Sequence, residues 1–119
     1  MNINRQAVVV KAKQPFVDWI NSNPVEPGQK RPSFTLELVN RDCLVLLIPE
    51  FDSNEEAHED VGYIKMDIFE ESLEAWYTDE YFWPKNRDEQ MFDEWFTLEI
   101  HSDVIDTVNE PIMRDDLGE

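Results

Sequence analysis

Between Trp76 and Phe96 the chain sets eight of its fourteen aromatic residues into 21 positions and places acidic residues among them. No other stretch constrains the fold as strongly. Aromatic rings carry large apolar areas that a folded chain does not leave in water, and Tyr and Trp add a polar tip. Such a segment either caps a core or supplies a contact surface, and the sequence leaves both readings open.

The rest of the chain has to supply what those rings pack against. Its 119 residues suit a single domain spanning 1–119, long enough to bury one core without disulfides or metal. Hydrophobic residues make up 41%, with three Gly and seven Pro, a composition of folded rather than disordered chains. Residues 112–119 are expected to form a frayed tail. The lone Cys43 cannot form an internal disulfide and opens the apolar run Cys43-Leu44-Val45-Leu46-Leu47-Ile48, so a buried, inert thiol is expected. The apolar run near the N-terminus is too short for a signal peptide or a membrane span, which points to a cytoplasmic protein that does not enter membranes.

Charge is sorted along the chain. The formal net charge is −17; residues 1–49 carry a net +2 and residues 50–119 a net −19. Such a field repels nucleic-acid phosphates and anionic lipid and attracts cations or basic protein surfaces. Direct nucleic-acid binding is therefore disfavoured. The bland alternative is that the acidity only maintains solubility.

Residues 7–13 are rich in Val and predict a first strand with Val8, Val10 and Ala12 on one face. Pro15 suits the first turn of a helix carrying Phe16, Trp19 and Ile20 at helical spacing, and residues 24–32 read as a loop. Residues 33–39 alternate Phe34, Leu36 and Leu38 against Ser33, Thr35 and Glu37, the period of a half-buried strand, although a helix over 35–40 stays open. Residues 43–48 are apolar on both faces and predict a central strand. Ser53-Asn54-Glu55-Glu56 has the form of a capping box, from which an apolar stripe through Ala57, Val61, Ile64, Ile68, Phe69, Leu73 and Trp76 predicts one long helix to about residue 77. Gly62 weakens it only modestly. Asn86 with Glu89 suggests a second cap for a helix over 87–95, and residues 96–101 alternate as a final strand. The order corresponds to an α+β fold, a βαββαβ ferredoxin-like plait with an extra short helix before the last strand.

Few residues suggest chemistry. Glu55-x-x-His58 has the spacing of one half of a di-iron carboxylate motif, but a dinuclear centre needs a second such pair, and the other histidine, His101, falls in a predicted strand. A single ion shared by His58, His101 and Glu99 or Asp103 would need ligands brought together by the fold. Glu70, Glu71, Glu74, Asp79 and Glu80 form the densest acidic group. On an exposed helical face such carboxylates stay solvated, which favours a charged binding surface over acid–base catalysis. There is no Gly-x-Ser-x-Gly elbow and no glycine-rich phosphate loop. Lys85 and Arg87, beside Trp83 and Pro84, read best as cations that pin a loop between aromatic-rich helices.

The runs Trp76-Tyr77-Thr78-Asp79-Glu80, Trp83-Pro84-Lys85-Asn86-Arg87 and Phe92-Asp93-Glu94-Trp95-Phe96, with His101-Ser102, Pro15-Phe16-Val17-Asp18-Trp19 and Ile48-Pro49-Glu50, span most of the chain. In these runs it resembles a group of small, acidic, conserved bacterial proteins of uncharacterised function. The resemblance implies a bacterial, cytosolic protein and carries no catalytic residues with it.

The expectation is thus a non-enzymatic interaction module without a cofactor or metal. Glu70, Glu71, Glu74, Asp79, Glu80, Tyr81 and Trp83 would bind a basic protein surface, one form of which is nucleic-acid mimicry. The alternative from another class is a small metal-dependent or acid–base enzyme using His58, His101 and nearby carboxylates.

Overall fold

The computed structural model describes residues 2–22, 27–30 and 33–114. Among them lie three strands, β1 (Arg5–Ala12), β2 (Leu44–Pro49) and β3 (Phe96–His101), and five helices, α1 (Gln14–Ser22), α2 (Leu36–Val39), α3 (Asn54–Gly62), α4 (Lys65–Glu74) and α5 (Glu89–Trp95). The fold is α+β, as expected.

The strands make one antiparallel sheet in the order β2-β1-β3. Its register sets Val8 between Leu46 and Ile100, and Val10 between Leu44 and Leu98. Because side chains alternate along a strand, Gln6, Val8, Val10 and Ala12 share one face with Ile48, Leu46, Leu44, Ile100, Leu98 and Phe96. That face packs on Phe16, Val17 and Ile20 of α1, Val39 of α2, Ala57 and Val61 of α3, Ile68, Phe69 and Leu73 of α4, and Phe92 of α5. The layer is therefore sheet on one side and helices on the other.

The sheet has three strands among the described residues, not the four of a βαββαβ plait. The segment that fails to pair is 33–39. Thr35 Oγ1 accepts a hydrogen bond from Leu38 N at 3.1 Å and caps the single turn of α2, while Asn21 clamps Phe34 through both its amide groups at 3.0 and 2.9 Å. A local side-chain bond of this kind offers the backbone an alternative to a sheet ladder. The helical reading of 35–40 is the one the chain adopts. With that neighbour gone, residues 43–48 form an edge strand rather than the central one, and β1 takes the centre.

The long helix expected over 53–77 is two helices. Ser53 does cap α3, accepting from Glu56 N at 3.2 Å. After Gly62 the backbone tightens, with Tyr63 N and Ile64 N bonding to the carbonyls of Asp60 and Val61, and α4 restarts from Ile64 without a side-chain cap. This break re-aims the apolar stripe so that both halves reach the sheet. Downstream, α5 is capped by Asp88, which accepts from Met91 N at 2.8 Å, rather than by Asn86. Of the loop expected over 24–32, the described part is residues 27–30, where Gly28 takes a φ of 88° that other residues adopt only with strain. Of the expected tail, residues 112–114 are exposed without regular structure, and 115–119 lie outside the described residues.

Candidate functional site

The aromatic segment is mostly core. Phe92 and Phe96 are buried, Trp83 is 7% exposed, and Trp76, Tyr77, Phe82 and Trp95 are half-buried; in this segment Tyr81 alone stands out, at 74% exposed. Its rings form a chain of offset and edge-to-face contacts across three helices. Trp19 meets Tyr77 edge-on at 5.3 Å, Phe69 lies 5.5 Å from Trp95, and Phe92 lies 5.1 Å from Phe96. Each such pair adds about 1 kcal/mol to the area it buries.

Polar tips find partners where these rings end. The Trp83 indole N–H donates to Tyr77 O at 2.7 Å, the Trp19 indole N–H to Phe82 O at 3.0 Å, and the Tyr77 hydroxyl to Ile20 O at 2.9 Å. The first bond closes the irregular stretch 77–88 on itself, and the other two lash it to α1. Asp79 caps a 3-10 turn over Glu80–Phe82 by accepting from Tyr81 N at 2.9 Å. Arg87 sits 5.5 Å over the Trp83 ring, donates to Pro84 O at 2.7 Å, and reaches Glu70 Oε1 at 3.3 Å. Lys85 donates to Tyr81 O at 2.9 Å with its ammonium 5.0 Å from the Tyr81 ring. Both cations pin the loop, as the sequence suggests.

The expected contact residues therefore separate into two sets. Trp83 belongs to the core and holds the loop from beneath. Glu70, Glu71 and Glu74 are exposed on α4, and Asp79, Glu80 and Tyr81 are exposed on the loop that the Arg87–Glu70 ion pair ties to that helix. Across 54–95 the chain carries fourteen Asp or Glu against three Lys or Arg, and Lys65 is held by Asp93 at 2.9 Å. Those three cations are all engaged internally, so the helical layer presents a surface of largely unneutralised carboxylates.

The histidines do not converge. His58 is exposed on α3, which covers the inner face of the sheet, while His101 points with Glu99, 3.6 Å away, from the outer face. Among the described residues no three His, Cys, Asp or Glu side chains stand together as metal ligands. Cys43 is half-buried rather than buried, its thiol 3.3 Å from Asn40 O. It lines a crevice with Leu44, Ser72, Trp76 and Asp42, and among the described residues no basic group lines it.

Sequence reasoning missed the outer face of the sheet. Its β2 side exposes Val45 at 54% and Leu47 at 48%, next to half-buried Ala7 and Val9. The signal was the apolar run 43–48 itself, which exceeds what an edge strand covered on one face can bury. Among the described residues no helix is long and apolar enough to cross a membrane. Compared with known proteins, the chain matches no protein-family model, no curated protein and no solved structure.

Proposed function

We propose that the protein is a non-enzymatic interaction module whose acidic helical face binds a basic surface on another protein, in the cytoplasm of a bacterial cell. The observation that carries this reading is the exposed row Glu70, Glu71 and Glu74 on α4, continued by Asp79, Glu80 and Tyr81 on a loop fixed from below by Trp83 and from the side by Arg87. Carboxylates of one sign speed and orient encounter with a basic partner. A rigidly presented tyrosine then supplies apolar contact at small entropic cost. Basic surfaces that bind nucleic acid are one class such a face fits, since spaced carboxylates occupy the positions of phosphates.

The test is capture from a bacterial lysate by the immobilised protein, compared with a Glu71→Gln/Glu74→Gln/Glu80→Gln variant and with Tyr81→Ala. A basic protein retained at about 0.05 M salt, released at about 0.5 M and lost with either variant supports the reading. Retention that ignores all these changes sinks it.

A further inference from the structure

Lys85 is exposed, and its ammonium rests on Tyr81 rather than on a carboxylate. Its Nζ donates to Tyr81 O at 2.9 Å and lies 5.0 Å from the centre of the Tyr81 ring, whose face is the negative part of its quadrupole. Among the described residues no carboxylate forms an ion pair with it, although Asp79, Glu80, Asp88 and Glu89 are near it in the chain. The seat is held ready by other bonds. Asp79 accepts from Tyr81 N at 2.9 Å, the carbonyls of Asp79 and Glu80 accept from Phe82 N and Trp83 N, and Phe82 meets the Tyr81 ring edge-on at 5.4 Å. Trp83, Trp19 and Arg87 anchor the rest of the loop through Tyr77 O, Phe82 O and Pro84 O. With the turn fixed this many times over, its shape does not depend on Lys85.

On the reading that this face binds a basic protein, we infer that Tyr81 is a site for a lysine ammonium of that partner, which Lys85 fills in the free chain and vacates on binding. The ring and the carbonyl that hold Lys85 hold an incoming ammonium by the same two contacts. The exchange replaces like with like. An internal occupant lowers the apparent affinity in proportion to the share of time for which it keeps the seat filled. A stray lysine therefore gains little at Tyr81, which is 74% exposed, whereas one carried on a basic surface is also held by the pull of Glu71 and Glu74. Lys85 in this way sets a threshold that separates an extended basic surface from scattered cations.

Fluorescence anisotropy of a labelled decalysine peptide, titrated with the full chain at about 0.1 M salt, reads the exchange. Lys85→Ala should tighten binding by about two- to fivefold, since it removes the competitor. Loss of a positive charge also favours a basic peptide at any acidic face, so the same change is made in Tyr81→Ala. There the gain should be smaller by about twofold or more, because no ring is left to vacate. A lysine that merely pinned the loop would act in the opposite sense, and Lys85→Ala would weaken the peptide. That result overturns the inference, as does an equal gain in both backgrounds; in either case the wild-type chain still binds decalysine and the acidic-face reading stands. A wild-type chain that does not bind the peptide at this salt removes that reading and the inference with it.

Discussion

Asn40 completes the sheet where β2 stops short of the end of β1. Its Oδ1 accepts from Ala12 N at 2.8 Å and its Nδ2 donates to Ala12 O at 3.1 Å, so one side chain makes both bonds that a strand residue would make with its backbone. The same residue caps α2, where its backbone N–H meets Leu36 O. Asn40→Ala should therefore cost about 2 kcal/mol, because two partly buried backbone groups on Ala12 lose their partners at once. Urea unfolding followed by circular dichroism measures it, and a loss below about 0.5 kcal/mol would mean that the contact is not made in solution.

Trp83 and Tyr81, two residues apart, should behave as opposites. Trp83→Ala is expected to destabilise the fold by about 3–5 kcal/mol through a cavity and a broken loop anchor, while Trp83→Phe, which keeps most of the ring and loses the bond to Tyr77 O, should cost about 1 kcal/mol. Tyr81→Ala should stay within about 0.5 kcal/mol of wild type. Equal losses at both sites in denaturant titrations would contradict the separation of core from surface.

Gly62 ends α3 where, beyond its chain neighbours and its own helix backbone, a Cβ would meet no described atom within 4 Å. Its backbone does not need glycine, because its φ is not positive. Gly62→Ala should raise stability by about 0.5–1 kcal/mol through helix propensity and a less flexible unfolded chain. A fall in the thermal midpoint would show that the turn at Tyr63 and Ile64 requires the freedom of glycine.

Along α4, Glu71 stands four residues after Asp67 and three before Glu74, so it faces like charge on both sides. Glu71→Lys should turn both pairs attractive and stabilise the protein by about 0.5 kcal/mol at low salt, less as salt rises. If that surface binds a basic partner, the same change should weaken binding. Stability and affinity moving in opposite directions would mark charge kept there for a task, and lower stability at low salt would refute the repulsion argument.

How much of this was legible beforehand depended on how local the deciding interaction was. The strand at 96–101 and the cap at Ser53 could be read directly, since alternation and a capping box are contained in a few residues. Segment 33–39 alternates as well as any strand, but the bonds that decide it come from Thr35 and from Asn21, which is twelve residues or more away in the chain. The role of 43–48 followed from that error, because apolar residues on both faces signal a central strand only if a neighbour exists to cover the second side. The acidic surface was legible as composition, whereas the burial of Trp83 depended on Tyr77 O and Arg87 meeting it in space.

The central position of β1 also bears on synthesis. During synthesis β1 can pair on one side with residues 44–49, but its other side waits for residues 96–101. Until then Val8 and Val10 lack half of their sheet, and the rings of 92–96 have not yet covered Phe16 and Phe69. A nascent chain stalled before Phe96 therefore exposes the inner face of β1 and the rings that pack on it, and the sheet closes late, only after residues 96–101 have been made.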